Sequence, residues 1–369
     1  MIQAVPDAVA GVAEPGYEPV REAFAASVGG SACAFAACVD GRLVCDLHAG
    51  GFGADAGAVL YSGTKGVAAT ALLLLVDDGL LDLDAPVAAV WAEFAAAGKS
   101  EITVATLLAH AAGLPAVERH LDRRDLAGAR ALAAALAAQA PMFAPGVPSY
   151  HAVTWGWLAG ELAVRACGCT LGTVVRDRLA APFGLDLRLG MAADDPLAAR
   201  LVRPRLAADY RLTAFIAEKP DPRLERVYGN PPFPIDAWAD LDLRSIEAPA
   251  ANGIATARAM ATLYGAIACG RVLRPETLAR AGQAAAEGND PLTGRRLRYG
   301  PSGYELAGTP SELGPAGDAI GHTGAGGGSH GAWPGLRTGF SFLPAELRSQ
   351  DADRRAGDVL AALHRVAAA

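Results

Sequence analysis

Residues 61–75 read Tyr-Ser-Gly-Thr-Lys-Gly-Val-Ala-Ala-Thr-Ala-Leu-Leu-Leu-Leu, and this stretch decides how the rest of the chain is interpreted. From Gly66 to Leu75 nearly every residue is small or apolar, which is typical of a helix that is enclosed on most sides. Ser62 precedes this helix at or near its N-cap, and Lys65 follows one turn later. We therefore expect both side chains on the same face of the helix.

Ser62 and Lys65 together have the chemistry of an activated nucleophile. The positive end of the helix dipole favours an alkoxide on Ser62 and lowers the pKa of an ammonium on Lys65, and burial of the lysine acts in the same direction. A serine beside a lysine that can lose its proton predicts nucleophilic catalysis. The alternative, a serine N-cap followed by a surface lysine, leaves a charge inside an apolar run without a reason.

The scarcity of lysine supports a role in proton transfer. The chain has 32 basic residues, of which 29 are arginines and three are lysines (Lys65, Lys99 and Lys219). Arginine cannot give up its proton and therefore cannot act as a base. A lysine in this helix thus indicates more than a plain positive charge.

The bulk properties narrow the class of protein. With 369 residues, the chain is long enough for one large domain or two interleaved ones. A net charge of −7 and the lack of a basic stripe argue against a nucleic-acid partner. The leucine run ends at Asp77-Asp78, so we expect no membrane span. Met1 to Gly16 lacks the pattern of a secretory signal, which favours a cytoplasmic protein. The six cysteines lack zinc-ligand spacing, so we expect reduced and mostly buried thiols.

The order of strand-like and helix-like segments predicts an α+β fold. Asp40-Gly41 separates two apolar runs, 31–39 and 42–49, and is a strong hairpin signal. Because strand patterns lie at both ends of the chain, we expect an antiparallel sheet built from both termini and flanked by helices, with a mostly helical region inserted.

The same pattern predicts how the chain divides into domains. We expect residues 1–84 and 290–369 to form the sheet domain and residues 85–289 to form the inserted helical domain. Residues 186–248 are irregular and rich in proline and aromatics, which is typical of a lid or binding loop. An ordered peripheral layer is the alternative for this stretch.

Three further segments accompany the Ser62 helix. Ile102-Thr-Val-Ala-Thr-Leu-Leu-Ala-His-Ala-Ala-Gly-Leu-Pro115 is the first, and Pro145-Gly146 followed by Tyr150-His-Ala-Val-Thr-Trp-Gly-Trp-Leu-Ala-Gly160 is the second. Gly321-His322-Thr323-Gly324 is the third. Together with Ser62-Gly-Thr-Lys65, they resemble the motifs of the serine β-lactamase and penicillin-binding-protein superfamily. Within it the chain is most similar to the family VIII carboxylesterases, which are related to class C β-lactamases.

The resemblance implies a β-lactamase/transpeptidase-like fold and a set of site residues. Ser62, Lys65 and Tyr150 would be catalytic, and the backbone N–H groups of Ser62 and Ala325 would form the oxyanion hole. His322, Thr323 and Gly324 would bind substrate, with His322 opposite Tyr150. A tyrosinate is viable only beside a cation such as Lys65, and the sequence leaves open which of Lys65 and Tyr150 is the base.

Two departures from the family pattern bear on the substrate. β-Lactamases and penicillin-binding proteins usually have asparagine two residues after the tyrosine, where this chain has Ala152. Their third motif usually begins with lysine, where this chain has His322. Because these two residues normally help hold a β-lactam, the departures favour the esterase branch.

Two other patterns point elsewhere and are weaker. Gly327-Gly-Ser329-His-Gly331 spells the nucleophile elbow of α/β-hydrolases, with Asp351 or Asp353 and His364 as conceivable partners. The following Ala-Trp-Pro-Gly does not begin a helix, so a Gly-rich turn is the better interpretation. The second pattern is the group of histidines His110, His120 and His151. These residues lack metal-ligand spacing, so we expect them to be structural. We expect neither a metal nor a cofactor.

The sequence thus predicts a cytoplasmic serine hydrolase that acts through an acyl-serine on small esters. Three alternatives stay open. The first is an acyltransferase that passes the same acyl group to an amine or alcohol. The second is a β-lactamase or D-amino-acid peptidase. The third is a non-catalytic sensor or binding protein that keeps the pocket, which the intact set of Ser62, Lys65 and Tyr150 disfavours.

Overall fold

A nine-stranded antiparallel sheet forms the centre of the protein. The computed structural model describes residues 9–212, 215, 218, 221–308, 312–349 and 352–369. The strands are β1 (Ala10–Ala13), β2 (Cys33–Val39), β3 (Arg42–Ala49), β4 (Ala58–Val59), β5 (Leu187–Arg188), β6 (Arg205–Leu206), β7 (Ile254–Ala255), β8 (Ala286–Asn289), β9 (Arg296–Tyr299), β10 (Glu305–Leu306), β11 (Ile320–Gly324), β12 (Gly328–Trp333), β13 (Thr338–Pro344) and β14 (Glu346–Leu347).

Helices of very different length surround the sheet. They are α1 (Glu18–Val28), α2 (Gly63–Asp77), α3 (Val104–Leu108), α4 (Ala129–Ala138), α5 (Thr154–Cys167), α6 (Leu171–Phe183), α7 (Pro222–Tyr228), α8 (Leu241–Arg244), α9 (Ala257–Ala268), α10 (Pro275–Ala281) and α11 (Arg355–Ala367). Short 3₁₀ turns connect several of them, for example Val87–Ala89, Ala92–Gly98, Arg123–Ala127, Pro196–Arg200, Ile235–Ala239 and Pro334–Leu336.

The two ends of the chain meet in the middle of the large sheet. Its strand order is β1-β3-β2-β13-β12-β11-β10-β9-β8, so β2 pairs with β13. The β2–β3 turn has positive φ angles at Asp40 (51°) and Gly41 (78°), which fits a type I′ hairpin. The predicted α+β fold, with a sheet built from both termini, is confirmed.

Helices cover both faces of this sheet. On one face, apolar residues of α1 and α11 pack against Phe35, Phe340 and Phe342. On the other face, α2 and α9 lie in the larger core cluster. Because α2 is covered by the sheet on one side and by helices on the other, all but one of its residues are buried. The enclosed helix that the sequence predicted is therefore present.

Two small sheets connect the middle of the chain to segments near its two ends. Strand β7 pairs with both β4 and β5, and β14 pairs with β6. Two elements inside the predicted insertion contact the sheet directly: α9 packs against it, and β8 is its edge strand. The division at residues 84 and 290 and the lid role of 186–248 stay predictions.

The helices described above are too short or too polar to cross a membrane one at a time. Among the residues that the structure describes, no single helix is long and apolar enough to span a membrane. One pair, Thr154–Cys167 with Leu171–Phe183, passes this criterion only when taken together, and it is bent by 72° at its break.

Candidate active site

Ser62 lies at the start of α2, where the chain turns sharply. The preceding residue, Tyr61, has a φ of 50°, which is rare for a residue with a side chain. The next residue is Gly63, and only glycine fits there, because a Cβ at this position would lie 2.5 Å from the His330 ring on β12. The glycine thus lets the nucleophile turn lie directly against the sheet. The N–H groups of Gly63 and Thr64 donate to the carbonyl oxygens of Leu60 at 2.9 Å and Tyr61 at 3.0 Å, so the turn that carries Ser62 is closed by its own backbone.

Lys65 is completely buried and is held by backbone carbonyls. Its Nζ donates to the carbonyl oxygens of Ala152 at 2.8 Å and Ala250 at 3.0 Å, and it lies 3.2 Å from Ser62 Oγ. Burial lowers the pKa of Lys65 well below its ordinary value of 10.5, although the nearby carboxylate of Glu305 acts in the opposite direction. A neutral amine keeps two N–H groups for the two carbonyls, and its lone pair then faces Ser62 Oγ.

Tyr150 approaches the nucleophile from the other side. Its hydroxyl donates to Ser62 Oγ at 2.8 Å, and its ring centroid is 4.9 Å from Lys65 Nζ. Burial raises the pKa of the Tyr150 hydroxyl above its ordinary value, so this phenol keeps its proton at neutral pH. Three side chains that are separated by up to 88 residues therefore meet at one oxygen atom.

The loop that carries Tyr150 is fixed by three consecutive backbone amides. The N–H of Ser149 donates to the carbonyl of His110 at 2.9 Å, and the N–H of His151 donates to Nδ1 of the same residue at 3.0 Å. Between them, the N–H of Tyr150 donates to Asp290 Oδ2 at 2.8 Å. His110 also lies against the Tyr150 ring, with 4.8 Å between the two centroids. His110 thus holds the loop through its carbonyl oxygen and its ring.

The predicted third motif lies on β11, next to the nucleophile. His322 is buried and its ring centroid is 6.3 Å from that of Tyr150. Gly324 comes so close to the carbonyl of Leu60 that a Cβ would be 2.5 Å from it, which sets the strand end beside the Ser62 turn. Ala325 follows in the turn to β12 and is half-buried.

His322 is neutral at physiological pH. Burial lowers its pKa to about 4, against the opposing effect of Glu305, whose Oε2 is 3.8 Å from Nδ1. Its Nδ1 lies 2.7 Å from the carbonyl oxygen of Thr323 and donates to it. The third motif therefore carries no positive charge where related enzymes usually have lysine.

Glu305 is an acidic neighbour of the site that the sequence analysis missed. Its Oε2 accepts hydrogen bonds from the backbone N–H of Thr323 at 3.0 Å and from the hydroxyl of Thr323 at 2.8 Å. Burial raises the pKa of Glu305, but His322, Arg295 and these bonds outweigh it and hold the pKa below its ordinary value. No sequence signal marks this residue, because β10 is only two residues long and pairing with β11 alone brings Glu305 to the site.

The competing nucleophile elbow does not have the required geometry. Ser329 is within strand β12 rather than at a strand-to-helix turn, and its hydroxyl donates to the carbonyl oxygen of Glu312 at 2.7 Å. Of the conceivable partners, Asp353 is ion-paired with Arg355, and Asp351 lies outside the described residues. The Gly-rich turn expected here is in fact a tight β11–β12 hairpin.

The three histidines that the sequence analysis expected to be structural differ in their exposure. His120 is exposed, whereas His110 and His151 are buried as described above. Across the described ranges, no group of three or more His, Cys, Asp or Glu side chains is arranged to hold a metal ion. All six cysteines are free; Cys33, Cys38 and Cys45 are buried, Cys167 and Cys269 are half-buried, and Cys169 is exposed.

The fold and the site define a serine enzyme of the β-lactamase and transpeptidase type. A family model described as Beta-lactamase matches residues 20–363, and the chain therefore belongs to the Beta-lactamase family. The resemblance that the sequence motifs indicated is thus confirmed.

Individual relatives agree with this assignment. The esterase/beta-lactamase LipL of Mycobacterium tuberculosis is 36% identical over 286 residues, which are 72% of this chain and 66% of LipL. The chain thus spans just under two thirds of that relative's length.

Two solved structures cover nearly the whole chain. A family VIII carboxylesterase matches with a TM-score of 0.88 and 32% identity, covering 97% of this chain and 100% of the other. EstA from Arthrobacter nitroguajacolicus matches with a TM-score of 0.89 and 30% identity, covering 97% and 99%.

Proposed function

We propose that this protein is a carboxylesterase that cleaves small-molecule esters through an acyl-Ser62 intermediate, with Lys65 as the base and Tyr150 as the relay to the leaving group. The observation that carries the proposal is the pair of contacts at Ser62 Oγ. A buried amine with a lowered pKa lies on one side, and a phenol that keeps its proton lies on the other. This arrangement supports Lys65 as the base, a choice that the sequence had left open.

Acylation follows from these contacts. Ser62 Oγ attacks the ester carbonyl while its proton passes to the neutral amine of Lys65. The backbone N–H groups of Ser62 and Ala325 would stabilise the resulting oxyanion. Tyr150 then gives its proton to the departing alkoxide and regains one from the ammonium of Lys65, so the relay returns to its starting state. In deacylation, water takes the place of the alcohol and the same proton transfers run in reverse.

The lining of the site favours esters over β-lactams. His322 is neutral and donates to Thr323, so it offers no charge for the carboxylate of a β-lactam. Ala152 supplies only a methyl group where an asparagine would hold the amide, and this methyl packs into an apolar cluster with Phe143 and Tyr228. The named relatives, an esterase/beta-lactamase and a family VIII carboxylesterase, support the ester assignment.

The proposal also covers the location of the protein and the charge of its substrate. The six free cysteines support a cytoplasmic location. The substrate is proposed as a small neutral ester, because the third motif carries no positive charge. No nucleic-acid or membrane partner is part of the proposal.

The experiment is to capture the intermediate and locate it. The pure protein is mixed with a panel of p-nitrophenyl esters of increasing acyl length, quenched with acid during turnover, and weighed by mass spectrometry. We expect a mass gain equal to the acyl group, mapped to the peptide that contains Ser62. Turnover without an adduct at Ser62, or an adduct on another serine, would contradict the proposal.

A further inference from the structure

Asp290 is a buried carboxylate near the site that the proposed mechanism does not use. It lies in the turn between β8 and β9, and only 2% of it is exposed. Its Oδ1 accepts from the backbone N–H groups of Leu292 at 2.8 Å and Thr293 at 3.0 Å, which close the hairpin turn. Its Oδ2 accepts from the backbone N–H of Tyr150 at 2.8 Å. One side chain therefore joins the edge of the sheet to the residue that contacts the nucleophile.

Packing supports the same connection. Gly288 on β8 lies against Pro148, since a Cβ there would be 3.3 Å from the proline ring. Within the turn, Leu292 belongs to the apolar cluster against which Ala152 and Phe143 pack. The β8–β9 hairpin thus packs against Pro148 before Tyr150 and shares an apolar cluster with Ala152 after it, and His110 binds the same loop.

We propose that Asp290 is a positioning residue for Tyr150: its carboxylate fixes the Tyr150 backbone so that the phenol lies at Ser62 Oγ and in line with the leaving group. This inference rests on the proposed function, because it assumes that Tyr150 relays a proton. A phenol hydroxyl lies far from its own backbone, so a small rotation of the loop moves it by a larger distance. Loss of the acceptor would also leave a part-buried N–H unpaired, which favours such a rotation.

Two substitutions separate the two tasks of Asp290. In Asp290→Asn, one oxygen stays available for the hairpin turn, where asparagine is favoured, and the amide NH₂ then faces the N–H of Tyr150. In Asp290→Ser, the hydroxyl can still close the turn but is too short to reach Tyr150. Both variants should keep the hairpin and release Tyr150.

The readout is the dependence of the rate on the leaving group. A relay that protonates the departing alkoxide matters most for alkyl esters, whose alkoxides are strong bases, and least for p-nitrophenyl esters. We expect both variants to lose about 10- to 100-fold in kcat/KM, which reports acylation and not the deacylation step common to both ester types, on ethyl esters and much less on p-nitrophenyl esters. A purely structural defect would lower both rates by the same factor.

A double-mutant cycle with Tyr150→Phe gives the second readout. If Asp290 acts through the Tyr150 hydroxyl, Asp290→Asn costs little once that hydroxyl is gone, so the two losses are not additive. Titration of Ser62 with a phosphonate measures the concentration of folded enzyme with a reactive serine. Dividing the rate by this concentration corrects for any fraction of a variant that does not fold.

Asp318→Asn is the matched control. Asp318 also accepts from a backbone N–H, that of Gly335 at 2.6 Å, but it joins the turn before β11 to the turn after β12. We expect this variant to keep the wild-type rates on both ester types.

The possible outcomes are distinct. Equal losses on both ester types, additivity with Tyr150→Phe, or unchanged rates in both Asp290 variants would overturn the inference while leaving the proposed function in place. If Tyr150→Phe itself keeps full activity on ethyl esters, the proposed relay fails, and the role of Asp290 fails with it.

Discussion

Lys65 donates a 2.8 Å hydrogen bond from its Nζ to the carbonyl oxygen of Ala152, two residues after Tyr150. The carbonyl of Ala250 accepts a second bond at 3.0 Å. Both acceptors are neutral, so they orient the amine without stabilising its positive charge as a contacting carboxylate would. Burial therefore favours the neutral form, and the last position on Nζ is directed to Ser62. The backbone around Lys65 makes it a base rather than a fixed charge.

Arginine cannot replace this lysine. We expect Lys65→Arg to be nearly as inactive as Lys65→Ala, because a guanidinium keeps its proton and does not fit between the two carbonyls. Loss of a positioned base typically lowers the rate by about 10²- to 10⁴-fold. The measurement is kcat/KM on a p-nitrophenyl ester, with folding checked by circular dichroism. An arginine variant that retains more than about half of the activity would show that charge alone suffices.

The pH dependence follows from the lowered pKa of Lys65. Only the neutral amine accepts the Ser62 proton, so kcat/KM should fall as the pH drops through this pKa and stay level above it. The level region should begin well below pH 10.5, the ordinary value for lysine. Tyr150 keeps its proton over the same range because burial raises its pKa. A profile that still rises towards pH 10.5 would mean that Lys65 has an ordinary pKa.

Covalent labelling distinguishes between the two candidate nucleophiles, Ser62 and Ser329. We expect Ser62→Ala to abolish both turnover and covalent labelling by a fluorophosphonate, because no other serine contacts Lys65 and Tyr150 in the described structure. We expect Ser329→Ala to keep both, since Ser329 only donates to the carbonyl of Glu312 within the sheet. In-gel fluorescence with the two variants side by side gives the answer. Labelling that persists in Ser62→Ala and disappears in Ser329→Ala would refute the assignment.

The sequence was most informative where chemistry and local structure coincide. Ser62, Lys65 and the apolar run of α2 predicted a buried nucleophile helix, and Asp40-Gly41 predicted the hairpin. Those signals are local, because the spacing along a helix or the chemistry of a turn determines them.

Other parts of the site depend on pairing between distant segments. Glu305 reaches the third motif only because β10 pairs with β11, and Asp290 reaches Tyr150 across 140 residues of chain. The sequence around Asp290 does signal a turn, with Asn-Asp-Pro before Gly294. It cannot show that the second carboxylate oxygen of the turn residue binds the loop that carries Tyr150.

Gly63 is predicted to be essential for the nucleophile turn. In Gly63→Ala, the new methyl group would meet the His330 ring at 2.5 Å, and His330 is buried and bonded to Ser341. We expect a loss of about 1–3 kcal/mol in the free energy of unfolding, typical of overpacking, together with a loss of activity as Ser62 shifts. Thermal denaturation and kcat/KM measure the two effects.

Gly160→Ala is the control for this substitution. Gly160 is inside α5, and a Cβ there would have its nearest neighbour at 3.9 Å. An alanine in that helix should raise the stability slightly, by up to about 1 kcal/mol, and leave the activity unchanged. If both glycine variants behave alike, close packing against His330 is not what requires glycine at position 63.

The fate of the acyl-enzyme is the last prediction. Lys65 and Tyr150 can take a proton from any alcohol, amine or water that reaches the ester, so the relay alone does not select water. The carboxylate of Glu305 is engaged by Thr323 and does not contact Ser62. The choice between water and another acceptor therefore depends on which molecules can enter the site. The apolar cluster that includes Ala152 has partly buried aromatic rings, among them Phe143 and Tyr228.

We expect water to remain the main acceptor, with apolar alcohols capturing a smaller share and charged amines capturing almost none. The test supplies an activated ester with rising millimolar concentrations of matched alcohols and amines, and measures the ratio of transfer product to free acid by chromatography. If one acceptor takes most of the acyl group, the protein is a transferase and hydrolysis is its side reaction. If none competes with water, the transferase alternative fails, because an acyl-enzyme that excludes every acceptor except water can only be an esterase intermediate.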